Sequence, residues 1–363
     1  MTNVKILVFA TKGAGSNDEA RILKLLQNFS VEIVPFDRSN KFKSFINIIQ
    51  QAVQTKPSLV VMEGTGALGG MACLWLRWFF GIPYIFSSGD AIAPFINLKY
   101  PILAPIVNLY ERMLCRFCAG FIGWTPYLVG RALTFGAPKA VTAAGWSYYD
   151  RTMEQLADSR VQIRQQLGIA DNSLVFGLLG SLAWIQSVQY CYGYELLKAF
   201  QKINRQDVSI LVVGDGNGLA YLQKLAGEDL GKRIFLPGNV PVEQVLDYMA
   251  AMDVASLPQS VDGVGSFRYT TKISEYLAAK LPVVTSQIPM AYDICGDWVW
   301  KLPGTKPWED IYINSLANLM QEMTVAEIKI KKKAIPNQIS DFDLEQQVFR
   351  VTNFINDIAK QSI

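Results

Sequence analysis

Histidine is absent from this chain of 363 residues. Without an imidazole, serine–histidine and cysteine–histidine nucleophiles are excluded, as are metal sites built on histidine. General-base work near neutral pH would need a carboxylate or a lysine with a displaced pKa. Charge is also scarce. Asp, Glu, Lys and Arg make up 18% of the residues, low for a freely soluble enzyme, against 50% hydrophobic. Only five cysteines occur, which fits a reducing compartment. Cys115 and Cys118 have CxxC spacing, but they sit in an apolar helical stretch without a second pair, so core packing is expected and zinc is not. No run reads as a membrane span: Leu74 to Phe86 is too short and carries Arg77, and Phe95 to Phe121 carries Lys99, Glu111, Arg112 and Arg116. The first apolar stretch is strand-length and meets a polar turn, unlike a signal peptide. The expected location is therefore the cytoplasm, with the inner face of the membrane as an option.

The chain is long enough for two cores of ordinary size. Its charge is uneven: residues 1–170 hold 17 Lys and Arg against 10 Asp and Glu, a balance of +7, and the remainder holds 17 against 21, or −4. Aromatic and long apolar runs concentrate in the positive half. Such a half could rest against an anionic membrane face, or the runs could be buried helices of a large α/β core. Short strands are expected at Val4 to Ala10, Val31 to Pro35, Ser58 to Met62, Tyr84 to Phe86, Phe121 to Trp124 and Ala140 to Ala143. The first leads into a turn with Gly13 and Gly15, followed by a helix from Glu19 to Phe29. Those glycines could offer backbone N–H groups to phosphate, or form a plain strand-to-helix turn.

The second half repeats the alternation. Strands at Ser209 to Val213, Arg233 to Leu236, Asp253 to Leu257 and Pro282 to Thr285 alternate with helices, the pattern of a doubly wound parallel sheet. Gly214 and Gly216 end the first of these, but Leu219 stands where a dinucleotide fingerprint needs its third glycine, so a nicotinamide or flavin site is disfavoured. The segment TTKISEYLAAKLPVV, Thr270 to Val284, is the most informative. Lys272 and Glu275 share one face at the head of an apolar helix, where a cation and free N–H groups could hold a diphosphate and a carboxylate could accept ribose hydroxyls. The plain alternative is an ordinary i,i+3 ion pair.

From about Leu174 to Val284 the chain resembles the nucleotide-sugar-binding half of family 4 glycosyltransferases, a GT-B family. The resemblance rests on the strand and turn at Phe176 to Ser181, the helix Tyr194 to Ile203, the run LVVGDGNG, FLPGNV, DYMAAMDVASLP and KISEYLAAKLPVV. It implies an α/β GT-B fold, two Rossmann-like doubly wound domains facing across a cleft. The expected division is 1–147 for acceptor binding, 148–170 as linker, 171–342 for the donor, and a last helix, 343–363, crossing back to the first domain. It further implies a hexosyltransferase that moves a sugar from a nucleoside diphosphate to an acceptor hydroxyl with retention, the departing phosphate taking the acceptor proton. No cofactor or metal is expected, and no nucleic-acid partner. The acceptor could be a lipid-linked saccharide, a polysaccharide or a hydrophobic small molecule, with peripheral membrane contact through the first domain as an option.

On this resemblance the donor contacts fall at Gly13, Gly15, Gly180, Ser181, Gly214, Gly216, Gly238, Asn239, Val240, Arg268, Lys272 and Glu275. Asp90, in the neighbourhood where many members carry a histidine, becomes a candidate contact for a hydroxyl; its alternative is a helix N-cap. Two departures stand out. Members have a glutamate eight positions before the one matched by Glu275, and here that position is Phe267, with Asp262 the nearest acid. They also place an arginine and a lysine after the strand at Gly177 to Leu179, where this chain has GSLAW and no cation. Arg268 and Lys272 are the nearest substitutes. Because of these departures, a catalytically silent nucleotide-sugar-binding partner is the alternative reading. A sugar-nucleotide epimerase of the same architecture is disfavoured, since such enzymes rely on several acid–base groups, usually including histidine.

Overall fold

The structure is a computed structural model that describes residues 4–147, 151–268, 271–294, 296–336 and 340–361. Along the first part run β1 (Lys5–Ala10), α1 (Asn17–Leu25), β2 (Ser30–Ile33), α2 (Lys41–Thr55), β3 (Leu59–Glu63), α3 (Ala67–Phe80), β4 (Tyr84–Ser88), α4 (Ile92–Lys99), α5 (Ala104–Phe117), β5 (Gly120–Gly123), α6 (Pro126–Thr134) and β6 (Ala140–Thr142). After them come α7 (Met153–Leu167), β7 (Leu174–Leu179), α8 (Tyr194–Phe200), β8 (Val208–Val213), α9 (Leu219–Ala226), β9 (Ile234–Gly238), α10 (Val245–Ala250), β10 (Val254–Leu257) and α11 (Thr271–Ala278). The chain continues through β11 (Val283–Ser286), α12 (Met290–Asp293), β12 (Val299–Leu302), α13 (Asp310–Glu322), α14 (Val325–Ala334) and α15 (Leu344–Gln361). It divides into two units. Unit 1 takes the described residues of 4–145, 267–268 and 340–361, and unit 2 those of 146–266 and 271–336.

Unit 1 holds a parallel sheet of six strands in the order β2-β1-β3-β4-β5-β6. The inner strands β1, β3 and β4 are buried on both faces because helices cover both sides, so they read as hydrophobic runs up to their carboxyl ends, where Glu63, Ser87 and Ser88 are polar. The order reverses between β1 and β3, which sets the loops at Thr11 and Gly64 side by side at the carboxyl ends of the strands. α15 belongs to this unit: Val348, Val351, Ile355 and Ile358 are buried along one face, Asn28 Nδ2 donates to Thr352 Oγ1 at 3.2 Å, and Phe354 and Ile358 lie close over Gly120. Cys115 and Cys118 are free and buried in the core.

Unit 2 holds a second parallel sheet of six strands in the order β12-β11-β10-β7-β8-β9. Numbered within the unit this is 3-2-1-4-5-6 read from β9, the doubly wound order whose reversal lies between β7 and β10. The edge strand β12 had no counterpart among the expected strands. Its short sequence VWKL is buried only at its two ends, Val299 and Leu302, and gives a weak signal. Much of the stretch read as a linker is α7, an integral helix of unit 2. A capping box between Thr152 and Gln155 starts it and Gly168 ends it in the left-handed region. Arg160 and Arg164 then bind the Asp253 carboxylate at 2.7 and 2.8 Å, and that carboxylate accepts from Val175 N at 2.9 Å. Residues 148–150 of the expected linker lie outside the described residues.

Candidate functional site

At the reversal in unit 2, the ends of β7 and β10 diverge and leave a solvent-open cleft of about 420 Å³. Gly180 and Ser181 line it from the loop after β7, Ser256 to Gln259 from the end of β10, Tyr192 from the approach to α8, and Lys272 and Tyr276 from α11. Tyr276 braces the junction: its hydroxyl donates to Ser256 O at 3.2 Å and accepts from Leu179 N at 3.3 Å, joining three elements. Gln259 donates through Nε2 to Tyr192 Oη at 3.3 Å and to Pro258 O at 2.8 Å. Beneath the floor lies Glu195, fully buried. It accepts from Tyr190 Oη at 3.0 Å and from Ser256 Oγ at 3.4 Å. Burial pushes its carboxyl up to about 7, against those hydrogen bonds, which pull it down.

Lys272 and Glu275 stand on α11 as the spacing implied. Lys272 Nζ meets Glu275 Oε2 at 2.8 Å, with side chains 30% and 18% exposed. The cation at the cleft thus already carries a partner. Gly180 and Ser181 reach the cleft lining, whereas Gly214 and Gly216 act one layer back. Gly214 adopts φ +143° and a Cβ there would collide with the carbonyl oxygen of Gly180. The loop after β8 therefore seats the loop after β7: Gly180 N donates to Val213 O at 3.0 Å, Leu182 N to Asp215 O at 2.9 Å and Gly218 N to Leu182 O at 2.8 Å. Gly238 closes β9 and its carbonyl accepts from Gly214 N at 2.8 Å. Asn239 is exposed and Val240 half-buried beyond it. Thr270 lies outside the described residues.

The remaining candidates belong to unit 1. Gly13 N donates to Ala10 O at 3.0 Å, and Gly15 N donates to Glu19 Oε2 at 2.6 Å while the Ser16 side chain caps α1. The N–H groups considered for phosphate are thus bonded within the loop and to the first turn of α1. Asp90 does not cap a helix, which corrects that alternative: α4 starts at Ile92 after Ala91 and has no side-chain cap. Its carboxylate instead binds Arg268 Nε at 2.7 Å. Next to that pair, Thr125 Oγ1 donates to Phe267 O at 2.9 Å, and the Phe267 ring packs on the core of unit 1 with the Arg131 guanidinium 5.5 Å from its centroid. Asp262, the acid nearest this segment in sequence, accepts from Val264 N and Gly265 N and so closes a local turn.

Sequence reasoning missed a second group in unit 1. Glu63, at the end of β3, is buried with Arg21 at 3.0 Å, and Trp124 Nε1 donates to its other oxygen at 3.2 Å. Arg21 also donates to Ser87 Oγ and to Ala143 O and lies under the Trp124 ring. Burial pushes the Glu63 carboxyl up, opposed by the neighbouring guanidinium, which itself stays charged. An arginine in a helix and a glutamate 42 positions away give no local pattern. In unit 2, Tyr192, Ser256, Gln259, Tyr276 and Glu195 were likewise missed. The sequence cue for Tyr192 and Glu195 was the alternating run YCYGYE, which leads into α8. Among the described residues, no three acidic, thiol or imidazole groups converge as metal ligands.

Two six-stranded parallel sheets with helices on both faces are the GT-B architecture of nucleotide-sugar-dependent glycosyltransferases. Residues 174–303, which contain the whole cleft, match the family model described as "Glycosyl transferases group 1". Among solved structures, Anabaena Alr3699/HepE in complex with UDP is similar at TM-score 0.69 and 16% identity, covering 97% of this chain and 100% of that one. The same protein in complex with UDP-glucose gives 0.69 and 16%, over 98% and 100%. Sucrose-phosphate synthase from Thermosynechococcus elongatus gives 0.63 and 14%, over 99% and 97%. WaaG, a glycosyltransferase involved in lipopolysaccharide biosynthesis, gives 0.66 and 13%, over 97% and 99%. At such identities the likeness carries the fold. No curated protein sequence matches the chain.

Proposed function

We propose that the protein is a retaining, family 4-like hexosyltransferase whose nucleoside diphosphate sugar donor binds in the cleft between β7 and β10. The observation that carries this reading is the placement of Lys272 and Tyr276 of one short helix in the lining of a cleft at the reversal of a doubly wound sheet, with Glu275 bonded to Lys272 beside it, inside the segment that matches the family model. In the proposed reaction the bond from the sugar anomeric carbon to the diphosphate oxygen breaks and the bond to the acceptor oxygen forms. The acceptor proton passes to the departing diphosphate on the same face. No imidazole is needed. Ser181 and backbone N–H groups of the cleft hold the phosphates together with Lys272, and Glu275 accepts the ribose hydroxyls. Arg268 and Asp90 are read as a preformed pair on the acceptor side. Gly13 and Gly15 keep a role toward an anionic ligand on condition that Glu19 yields the Gly15 N–H to it.

Anabaena Alr3699/HepE, of the same fold, is known in complex with UDP and with UDP-glucose, which makes uridine nucleotides the first probes. Calorimetric titration with UDP, GDP and ADP is expected to single out one base. Glu275→Ala should then weaken that nucleotide by about tenfold or more, the loss of a charge-assisted hydrogen-bond acceptor. Unchanged or tighter binding would mean that Glu275 serves only to neutralise Lys272, and would sink the assignment. A catalytically silent nucleotide-sugar-binding partner is the second reading, favoured by Phe267, where the resemblance expects a glutamate and where a half-buried ring packs against a core. Binding without donor hydrolysis or transfer by purified protein would decide for it.

A further inference from the structure

We propose that unit 1 docks on the surface of an anionic lipid bilayer through the outer face of α3, the 3-10 turn Pro101–Leu103 and α5. Independent of the donor reading, this rests on a surface whose sequence allowed burial and whose structure leaves it exposed. Along α3, Trp75, Trp78 and Phe79 follow helical spacing onto one outward face, and Phe79 is 63% exposed. The Trp75 and Phe79 rings lie 4.4 Å apart, and Trp78 sits edge-on to Phe117 of α5 at 5.3 Å. The two helices approach closely because Gly70 lies against the Tyr110 side chain. Ile102 and Ile106 extend the patch at 90% and 66% exposure. A freely dissolved surface seldom gathers this many large apolar side chains, and tryptophan is at home where one end of a ring is apolar and the other wet.

Charge selects the occupant. Between residues 64 and 147 the sequence has six basic residues and two acidic ones, Asp90 and Glu111. Both acids are engaged, Asp90 with Arg268 and the buried Glu111 with Arg131. The exposed stripe of α5 passes from Ile106 and Leu109 to Arg112 and Arg116, so the apolar patch continues into guanidinium groups, with exposed Arg77 on α3. Lipid phosphates complement that edge. A second copy would bring arginine against arginine. Among the described residues no helix is long and apolar enough to cross a membrane, so the face would lie in the interface with its side chains inserted.

The test is co-sedimentation of the full chain with vesicles of phosphatidylcholine, pure or carrying about one-third phosphatidylglycerol, at rising salt. Binding to the mixed vesicles that weakens with salt and is much reduced on pure phosphatidylcholine supports the proposal. Trp78→Ser with Phe79→Ser should lower partition by about tenfold, and Arg112→Gln with Arg116→Gln should lower it by about tenfold on anionic vesicles alone. Each pair is read alongside its thermal transition. The wild-type lipid and salt dependence needs no variant, so the proposal stays testable if one fails to fold. It is overturned by absence of wild-type binding, by equal binding to both lipids, or by a lipid-free dimer that the Trp78 and Phe79 substitutions dissociate.

Discussion

Glu195 is fully enclosed in a chain without histidine, yet its carboxyl is pushed up to about 7 from an ordinary value of 4.5. The groups around it are Tyr190, Ser256 and, further out, Tyr276 and Tyr312, with Cys191 alongside. A carboxyl whose folded pKa is raised binds its proton in the folded state over a range where the unfolded chain has lost it. Its contribution is therefore fully present below pH 4.5 and is lost as pH rises through about 7. Glu195→Gln should flatten that fall, seen as the difference between variant and wild-type melting temperatures from pH 5 to 8, a range set by roughly the two pKa values. Curves that stay parallel would mean the carboxyl does not titrate there. Glu63 is raised by burial too, but its guanidinium partner opposes the shift. Removing its carboxylate with Glu63→Ala strands Arg21 in the interior and should cost about 3–5 kcal/mol in chemical denaturation. None of these groups could be read from the sequence, unlike Lys272 and Glu275, whose i,i+3 spacing on a helix is local. Glu195 and Glu63 draw their chemistry from residues far along the chain.

Among elements, the loops after β7 and β8 are a coupled pair. Gly214 lets the second press against Gly180 of the first, and the hydrogen bonds between them hold the wall of the cleft. Gly214→Ala adds a Cβ where a carbonyl oxygen already stands, at a φ that disfavours side chains. It should destabilise by about 3 kcal/mol and weaken nucleotide binding with it. A melting temperature within a degree or so of wild type would contradict the packing argument. Strands with β-branched and apolar runs, such as β1, β3 and β8, were legible because burial on both faces leaves no alternation to confuse. The short edge strand β12 was not. Helix α7 was read as linker because its charged face resembles one, and the ion pairs of Arg160 and Arg164 with Asp253 that bind it to the sheet join residues about ninety positions apart.

At the scale of the whole molecule, α15 lies at the end of the sequence and packs in unit 1. Val348, Val351, Ile355 and Ile358 are buried there, each contributing about 1.5–3 kcal/mol, together comparable with the entire stability of a domain at about 5–15 kcal/mol. Deleting residues 344–361 should abolish the unfolding transition of unit 1 while unit 2 keeps one that a bound nucleotide raises, measured by calorimetry. Survival of both transitions would show that α15 is dispensable. Dialysis against a chelator is expected to leave nucleotide binding and transfer unchanged. A loss restored by a divalent cation would require a metal at the diphosphate.

The sequence alone determined the alternation of strands and helices, the doubly wound class and the helix bearing Lys272 and Glu275, because each depends on periodicity or spacing within a few residues. Tertiary structure decided the rest. It paired Asp90 with Arg268, packed the half-buried Phe267 against a core, closed Gly214 on Gly180, set Glu195 below the cleft and left Trp78 and Phe79 facing outward. Those outcomes depend on which distant segments exclude water from one another, and burial of that kind has no local signature in the chain.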